Sequence, residues 1–193
     1  MLSATGWLPK SSRLMTQKSI RACNIPIEID IATEFSGWNQ CDFEKEPAVN
    51  RAVDMAVTKS RFAALLQNKD MEISVVLCDD DFIQTLNKQY RGKDKPTNVL
   101  SFPQSNFNEP DSLSDFVSLG DIILAYQTIK HEAQEQNKSF QHHFIHLVTH
   151  GTLHLMGYDH EDSEEANEME ALEIVILNAL GIKNPYSNEN FVS

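Results

Sequence analysis

Cysteine is scarce and unpatterned: the three residues, Cys23, Cys41 and Cys78, form neither a CxxC pair nor an even framework. That argues against a disulfide scaffold or a thiolate zinc site and suits a reducing compartment. Basic charge is also in short supply, with 16 lysines and arginines against 28 acidic residues and a net charge of −12. A protein that coats nucleic acid by general electrostatics is excluded on this ground, since such binding comes from cations neutralising phosphates. No run approaches the roughly 20 apolar residues needed to span a bilayer, so a soluble protein is expected. Internal repeats and low-complexity tracts are missing. With 193 residues and 41% hydrophobic content, the chain can bury one ordinary core.

What is present is unevenly placed. Between Asp159 and Glu173 there are eight acidic residues and no lysine or arginine, whereas Lys88, Arg91, Lys93 and Lys95 sit together. An anionic partner should meet that basic patch. Residues 1–24 carry Lys10, Arg13, Lys18 and Arg21 without an acid. They are expected to be a disordered extension or the product of a start upstream of Met15, the alternative being an organelle transit peptide. Residues 25–186 are expected to form the single domain and 187–193 a tail.

Periodicity divides that domain. Ile25, Ile27, Ile29 and Ile31 alternate with polar residues as in a half-buried strand. Residues 36–46 look like a polar loop with an exposed Trp38. From Pro47 to about Gln67, apolar residues recur at helical spacing. A strand over residues 72–78 is followed by Asp79-Asp80-Asp81, which suit a helix N-terminus better than a metal site. A basic turn at residues 91–97 leads into a strand over 98–102. After a long polar loop, a further strand spans 119–124 with Gly120 as a possible bulge. Three helices complete the chain, over 125–136, from Ser139 to about Leu155, and from Asp162 or Ser163 to Gly181. The fold class expected is α+β: one mixed four-stranded sheet covered by about five helices.

The densest chemistry lies in HGTLHLMGYDH, residues 150–160. On a helix, His150 and His154 stand one turn apart on one face. Gly157 can take the left-handed conformation that ends the helix, so that His160 returns from another direction. Three nitrogen ligands suit one zinc ion and leave an open coordination position, which activates water at neutral pH. His142, His146, His150 and His154 form a continuous i, i+4 stripe; His146 is expected to support the ligands rather than join them, and His131, His142 and His143 to lie on the surface. Asp159 either orients a ligand imidazole or serves as a turn residue. The spacing matches H-E-x-x-H-x-x-G-x-x-H, the metzincin pattern. However, Gly151 stands where the general-base glutamate would be.

HGTLHLMGYDH resembles the signature of the YbeY family of bacterial and organellar endoribonucleases. The block YRGKDKPTNVLSFP at residues 90–103 is similar to that family's other characteristic run, and LGDI at 119–122 and EMEALE in the last helix follow in consistent order. The resemblance implies a metzincin-like placement of the zinc helix, zinc ligation by His150, His154 and His160, and Arg91 as the cationic active-site residue. Lys93 and Lys95 would hold the RNA backbone. It further implies single-stranded ribosomal RNA as substrate, in 16S rRNA 3′ end maturation and ribosome quality control, with the small ribosomal subunit and its assembly factors as partners and a bacterial cytoplasmic or organellar location. Two other readings remain open on the residues: a metallopeptidase, from the spacing, and a non-catalytic assembly factor stabilised by zinc.

Overall fold

In the computed structural model, residues 26–109, 113–159 and 162–187 are described. His160 and residues 1–25, which include the expected extension, lie outside them, as does the tail beyond residue 187. Four strands, β1 (Ile27–Thr33), β2 (Asp70–Cys78), β3 (Val99–Pro103) and β4 (Phe116–Ala125), form one sheet in the order β1-β2-β4-β3. The pairs β1/β2 and β2/β4 are parallel and β3/β4 antiparallel, so the sheet is mixed as expected. Six helices accompany it: α1 (Lys45–Lys59), α2 (Ala63–Leu66), α3 (Asp80–Arg91), α4 (Tyr126–Glu135), α5 (Phe140–Leu155) and α6 (Ser163–Ala179).

Local chemistry explains most of the boundaries. Asp79 caps α3 by accepting from the Phe82 amide, and Asp162 caps α6 by accepting from the amides of Glu164 and Glu165. Both satisfy donors that no helical carbonyl can reach. Gly120 marks the bulge, where pairing with β2 shifts between Glu72 and Ile73. Its φ is +127°, and a Cβ there would lie 2.2 Å from the Phe102 carbonyl oxygen. Only glycine fits so close an approach.

The single long helix expected over residues 47–67 is interrupted. Ser60 turns extended, and its hydroxyl donates to the Val57 carbonyl while accepting from the Phe62 amide. Serine thus offers the backbone an alternative to the helical ladder. The break frees the Arg61 amide to donate to the Tyr158 hydroxyl at 2.7 Å, which ties this corner to the end of α5.

Helix α5 lies on β3 and β4, flanked by α1, α4 and α6. It is apolar nearly all round: from His143 to Leu155 every position is buried except His146, His150 and His154. The hydroxyls of Thr149 and Thr152 are satisfied within the helix by the carbonyls of Ile145 and Val148. The histidine stripe is therefore the one polar edge of a core helix. A smaller apolar cluster, including Val76, Ile83, Leu100 and Ile123, seats α3 against the opposite face of the sheet.

Two residues expected at the surface are buried. Trp38 sits in a 3₁₀ turn (Ser36–Gln40) at 0% exposure, donating from Nε1 to the Cys78 carbonyl and surrounded by Tyr126, Phe140 and Phe144. Its polar neighbours in the chain gave no sign of this, because the partners come from other elements. His143 is 5% exposed and donates from Nε2 to Glu132 at 2.8 Å; the same carboxylate accepts from the Asn98 amide. This knot joins α4, α5 and the start of β3.

Trp38→Ala should lower the unfolding free energy by about 3–5 kcal/mol through the cavity it leaves. Trp38→Phe should cost less, about 1–3 kcal/mol, mainly by orphaning the Cys78 carbonyl. Denaturant titration followed by circular dichroism measures both. Glu132 makes a separate prediction. Burial pushes its carboxyl up, but the bonds from His143 and Asn98 outweigh that and hold it below its ordinary 4.5. A depressed folded-state value gives stability that is present above the ordinary carboxylate range and lost as pH falls through the folded value. The unfolding free energy should therefore decline below about pH 4.5, and Glu132→Gln should flatten that acid limb.

Candidate active site

The end of α5 builds the site. The Gly157 amide donates to the His154 carbonyl and the Tyr158 amide to the Leu153 carbonyl, with Gly157 at φ +77°. This paired closure is the Schellman arrangement, which needs a left-handed residue at that point. It leaves the Tyr158 carbonyl facing back, 3.0 Å from Nδ1 of His154. The turn is anchored from outside: the Tyr158 side chain is buried, its hydroxyl accepts from the Arg61 amide, and the Arg61 guanidinium lies 4.4 Å over its ring.

One turn earlier, Nδ1 of His150 lies 2.8 Å from Oε1 of Glu173. A carbonyl and a carboxylate can only accept, so a proton on Nδ1 of each imidazole satisfies them and leaves Nε2 to face the other ring. The two Nε2 atoms are 3.0 Å apart. At that distance the two nitrogens can share a proton or, spread slightly, a metal cation. Zinc–nitrogen bonds of ~2.0–2.1 Å at a tetrahedral angle would place such nitrogens ~3.3 Å apart, so a slight spreading of the pair would fit the ion. Among the described residues no third histidine, cysteine or acid completes a cluster of this kind; the expected third ligand, His160, lies outside them.

Glu173 was not anticipated from the sequence. It belongs to the acidic run 159–173, yet it is 0% exposed. A signal was there: Glu173 falls in step with Met169, Ile176 and Leu177, the inward stripe of α6. An acid at a core position of an amphipathic helix requires partners. They are His150, His146, whose Nε2 stands 3.4 Å from Oε2, and the Tyr186 hydroxyl, which donates to Oε2. Burial pushes the Glu173 carboxyl up, but the two histidines outweigh it and bring it down to about 2. Burial and then the neighbouring carboxylate push the Tyr186 phenol up.

His150 and His154 open on a cleft of 790 Å³ whose wall also includes Arg91, Asn98, Ser101 and Asp159. Arg91 is the last residue of α3. The turn after it is held by Asp94, which accepts from Lys88 and Gln84, and by the Asn87 amide donating to the Lys95 carbonyl. Lys88 and Gln84 lower the Asp94 carboxyl below its ordinary value. Lys93 and Lys95 are exposed on this turn, apart from the residues that form the cleft wall. Asp159 lies on the wall, while the groups facing Nδ1 of His150 and His154 are Glu173 and the Tyr158 carbonyl.

Gly151 proves to be a packing residue. A Cβ there would stand 3.0 Å from Cγ2 of Ile122 and 3.1 Å from the Ser101 hydroxyl, so it is where α5 presses on the sheet. Gly151→Ala should gain about 1 kcal/mol of helix propensity and lose about 1–3 kcal/mol to overpacking, a net loss of about 0–2 kcal/mol. Gly151→Glu, which restores the metzincin consensus, should be far more destabilising and confer no peptidase activity. Thermal melts and a peptide-library digest would check the pair.

The family described as "Endoribonuclease YbeY" matches residues 36–181. A protein of that name from Rhodopseudomonas palustris is 46% identical over 85% of this chain and 83% of its own length. Another, from Paramagnetospirillum magneticum, is 43% identical over 86% of this chain and 99% of its own. The solution structure of TM1509 from Thermotoga maritima, 23% identical, covers 86% of this chain and 100% of that one with a TM-score of 0.49. The family match over residues 36–181, with relatives 46% and 43% identical over most of both chains, places the chain in the YbeY endoribonuclease family.

Proposed function

We propose that this chain is a zinc-dependent endoribonuclease that cleaves phosphodiester bonds in single-stranded ribosomal RNA, in 16S rRNA 3′ end maturation and ribosome quality control. The observation that carries the reading is the shared cleft: a guanidinium and two converging imidazole nitrogens line one cavity. His150 and His154 would hold one zinc ion, with His160 as the third ligand carried by the motif. When bound, zinc supplies Lewis-acid activation at an oxygen.

The chain's own groups do the rest. Cleavage places extra negative charge on the phosphoryl oxygens, and the planar guanidinium of Arg91 can donate to two of them at once. This cation matters more because Asp159 and Glu165 share the wall and would repel a phosphate unaided. Lys88, Lys93 and Lys95 around the same turn provide the local attraction for the RNA backbone that the net charge of −12 does not. Asn98 and Ser101 offer neutral hydrogen-bonding groups on the wall. Substrate in a ribosomal precursor brings the small subunit and its assembly factors as partners. No helix among the described residues is long and apolar enough to cross a membrane.

The metallopeptidase reading is disfavoured because Gly151 stands where its base would be, and a Cβ there would already crowd Ile122 and Ser101. Metal analysis combined with cleavage of single-stranded precursor RNA tests the proposal. His150→Ala should lose zinc and cleavage together. Arg91→Ala should keep its zinc and lose about 100- to 1,000-fold in rate, the range for removing one preorganised donor to a developing oxyanion. A folded, zinc-free His150→Ala protein that still cuts RNA would sink the reading. A purified wild type that melts much earlier with chelator yet never cuts would favour a structural zinc in an assembly factor.

A further inference from the structure

We infer that Glu173, clamped by Tyr186 from the segment after α6, is the positioning residue that fixes the proton of His150 on Nδ1 and thereby aims its Nε2 lone pair at the point shared with His154. An imidazole alone has no strong preference between its two tautomers, so a helix face bearing His150 and His154 does not by itself make a cation site. The choice is set by what the far nitrogen meets. For His154 that is a neutral carbonyl. For His150 it is a buried carboxylate, whose charge-assisted bond is roughly twice as strong.

The carboxylate must itself be held. Its Oε1 faces His150, while Oε2 takes His146 at 3.4 Å and the Tyr186 hydroxyl. Occupying Oε2 from two sides fixes the rotation of the carboxylate plane, so Oε1 stays on His150. Tyr186 is delivered by a short fastened segment. The Ile182 amide donates to the Leu177 carbonyl, Ile182 is buried, Lys138 donates to the Pro185 carbonyl at 2.8 Å, and the Tyr186 amide donates to Asn184. Glu173 and Tyr186 stand behind His150 and act on the reaction only through it.

Nitrogen-15 NMR of the imidazoles in metal-free protein reads the tautomer, and competition with a chromophoric chelator reads Zn²⁺ affinity. The tautomer measurement is independent of the zinc-nuclease reading; only the affinity measurement rests on it. Wild type should show His150 protonated on Nδ1. Glu173→Leu, close in volume and without an acceptor, should lose that preference and bind Zn²⁺ about 10–100-fold more weakly, as removal of such outer partners does. Glu173→Gln, whose amide oxygen can still accept from His150, should keep the tautomer in larger part and fall between. Tyr186→Phe should keep the tautomer and weaken Zn²⁺ binding several-fold. An unchanged His150 tautomer and unchanged affinity in folded Glu173→Leu would overturn the inference. If that variant does not fold, wild-type affinity in both Glu173→Gln and Tyr186→Phe would overturn it instead. Wild type without Zn²⁺ affinity would defeat the zinc reading, while the metal-free tautomer comparison would still decide the role of Glu173.

Discussion

The contact on which the site depends is the seating of α5 on β3 and β4 at Gly151. With no side chain there, the helix comes close enough to Ile122 and Ser101 that a Cβ would already be crowded. Close-packed interiors tolerate little change of volume, so this contact sets both the depth and the rotation of α5. Once that face points down, only the positions of His146, His150 and His154 remain outside the core between His143 and Leu155. The exposure of the histidine stripe thus follows from how the neighbouring face of the helix is packed. A looser seat would let the helix roll, carrying both histidines together away from Glu173 on α6 and from the cleft wall.

From this helix the constraints run outward to its neighbours. The Schellman closure at Gly157 makes the Tyr158 carbonyl available to His154, but it holds only because Tyr158 is pinned beneath Arg61 and Phe62. Those two residues are in place because Ser60 interrupts the helical run that begins in α1. On the other side, α6 brings Glu173 under His150. A buried carboxylate is costly unless its lone pairs are engaged, and here three donors engage it. The interruption at Ser60 and the buried acid at Glu173, each a departure from the local pattern, both serve the orientation of an imidazole.

The parts of this architecture that could be read in the sequence are those whose chemistry is local. The caps at Asp79, Ser139 and Asp162, the bulge at Gly120 and the turn at Gly157 each depend on a few adjacent residues, and they form where expected. Strand β2 was legible as a strand from its β-branched run, which ends in four consecutive buried residues, Val75–Cys78. Trp38 and His143 were not, since their burial is decided by Cys78, Tyr126 and Glu132, far away in the chain. Glu173 lies between these cases. Charge counting groups it with the acidic run 159–173, whereas its phase is that of Met169 and Ile176, the buried stripe of α6. Phase is the better guide, because a helix buries a stripe and not a stretch of sequence.

The same distinction separates this site from the peptidases whose spacing it shares. In H-E-x-x-H the glutamate follows the first histidine by one residue, about 100° around the helix. In this chain that direction points at the sheet, where even a Cβ at Gly151 would stand 3.0 Å from Cγ2 of Ile122 and 3.1 Å from the Ser101 hydroxyl. The acids that do approach the pair enter from elsewhere: Glu173 from behind His150, Asp159 and Glu165 along the wall. Two histidine pairs with identical spacing can thus belong to opposite chemistries, according to whether the helix face beside them is open or packed. The rest of the cleft wall is built by other elements. There the fold presents Arg91 at the end of α3, a cation suited to phosphate and unsuited to serving as a base at neutral pH.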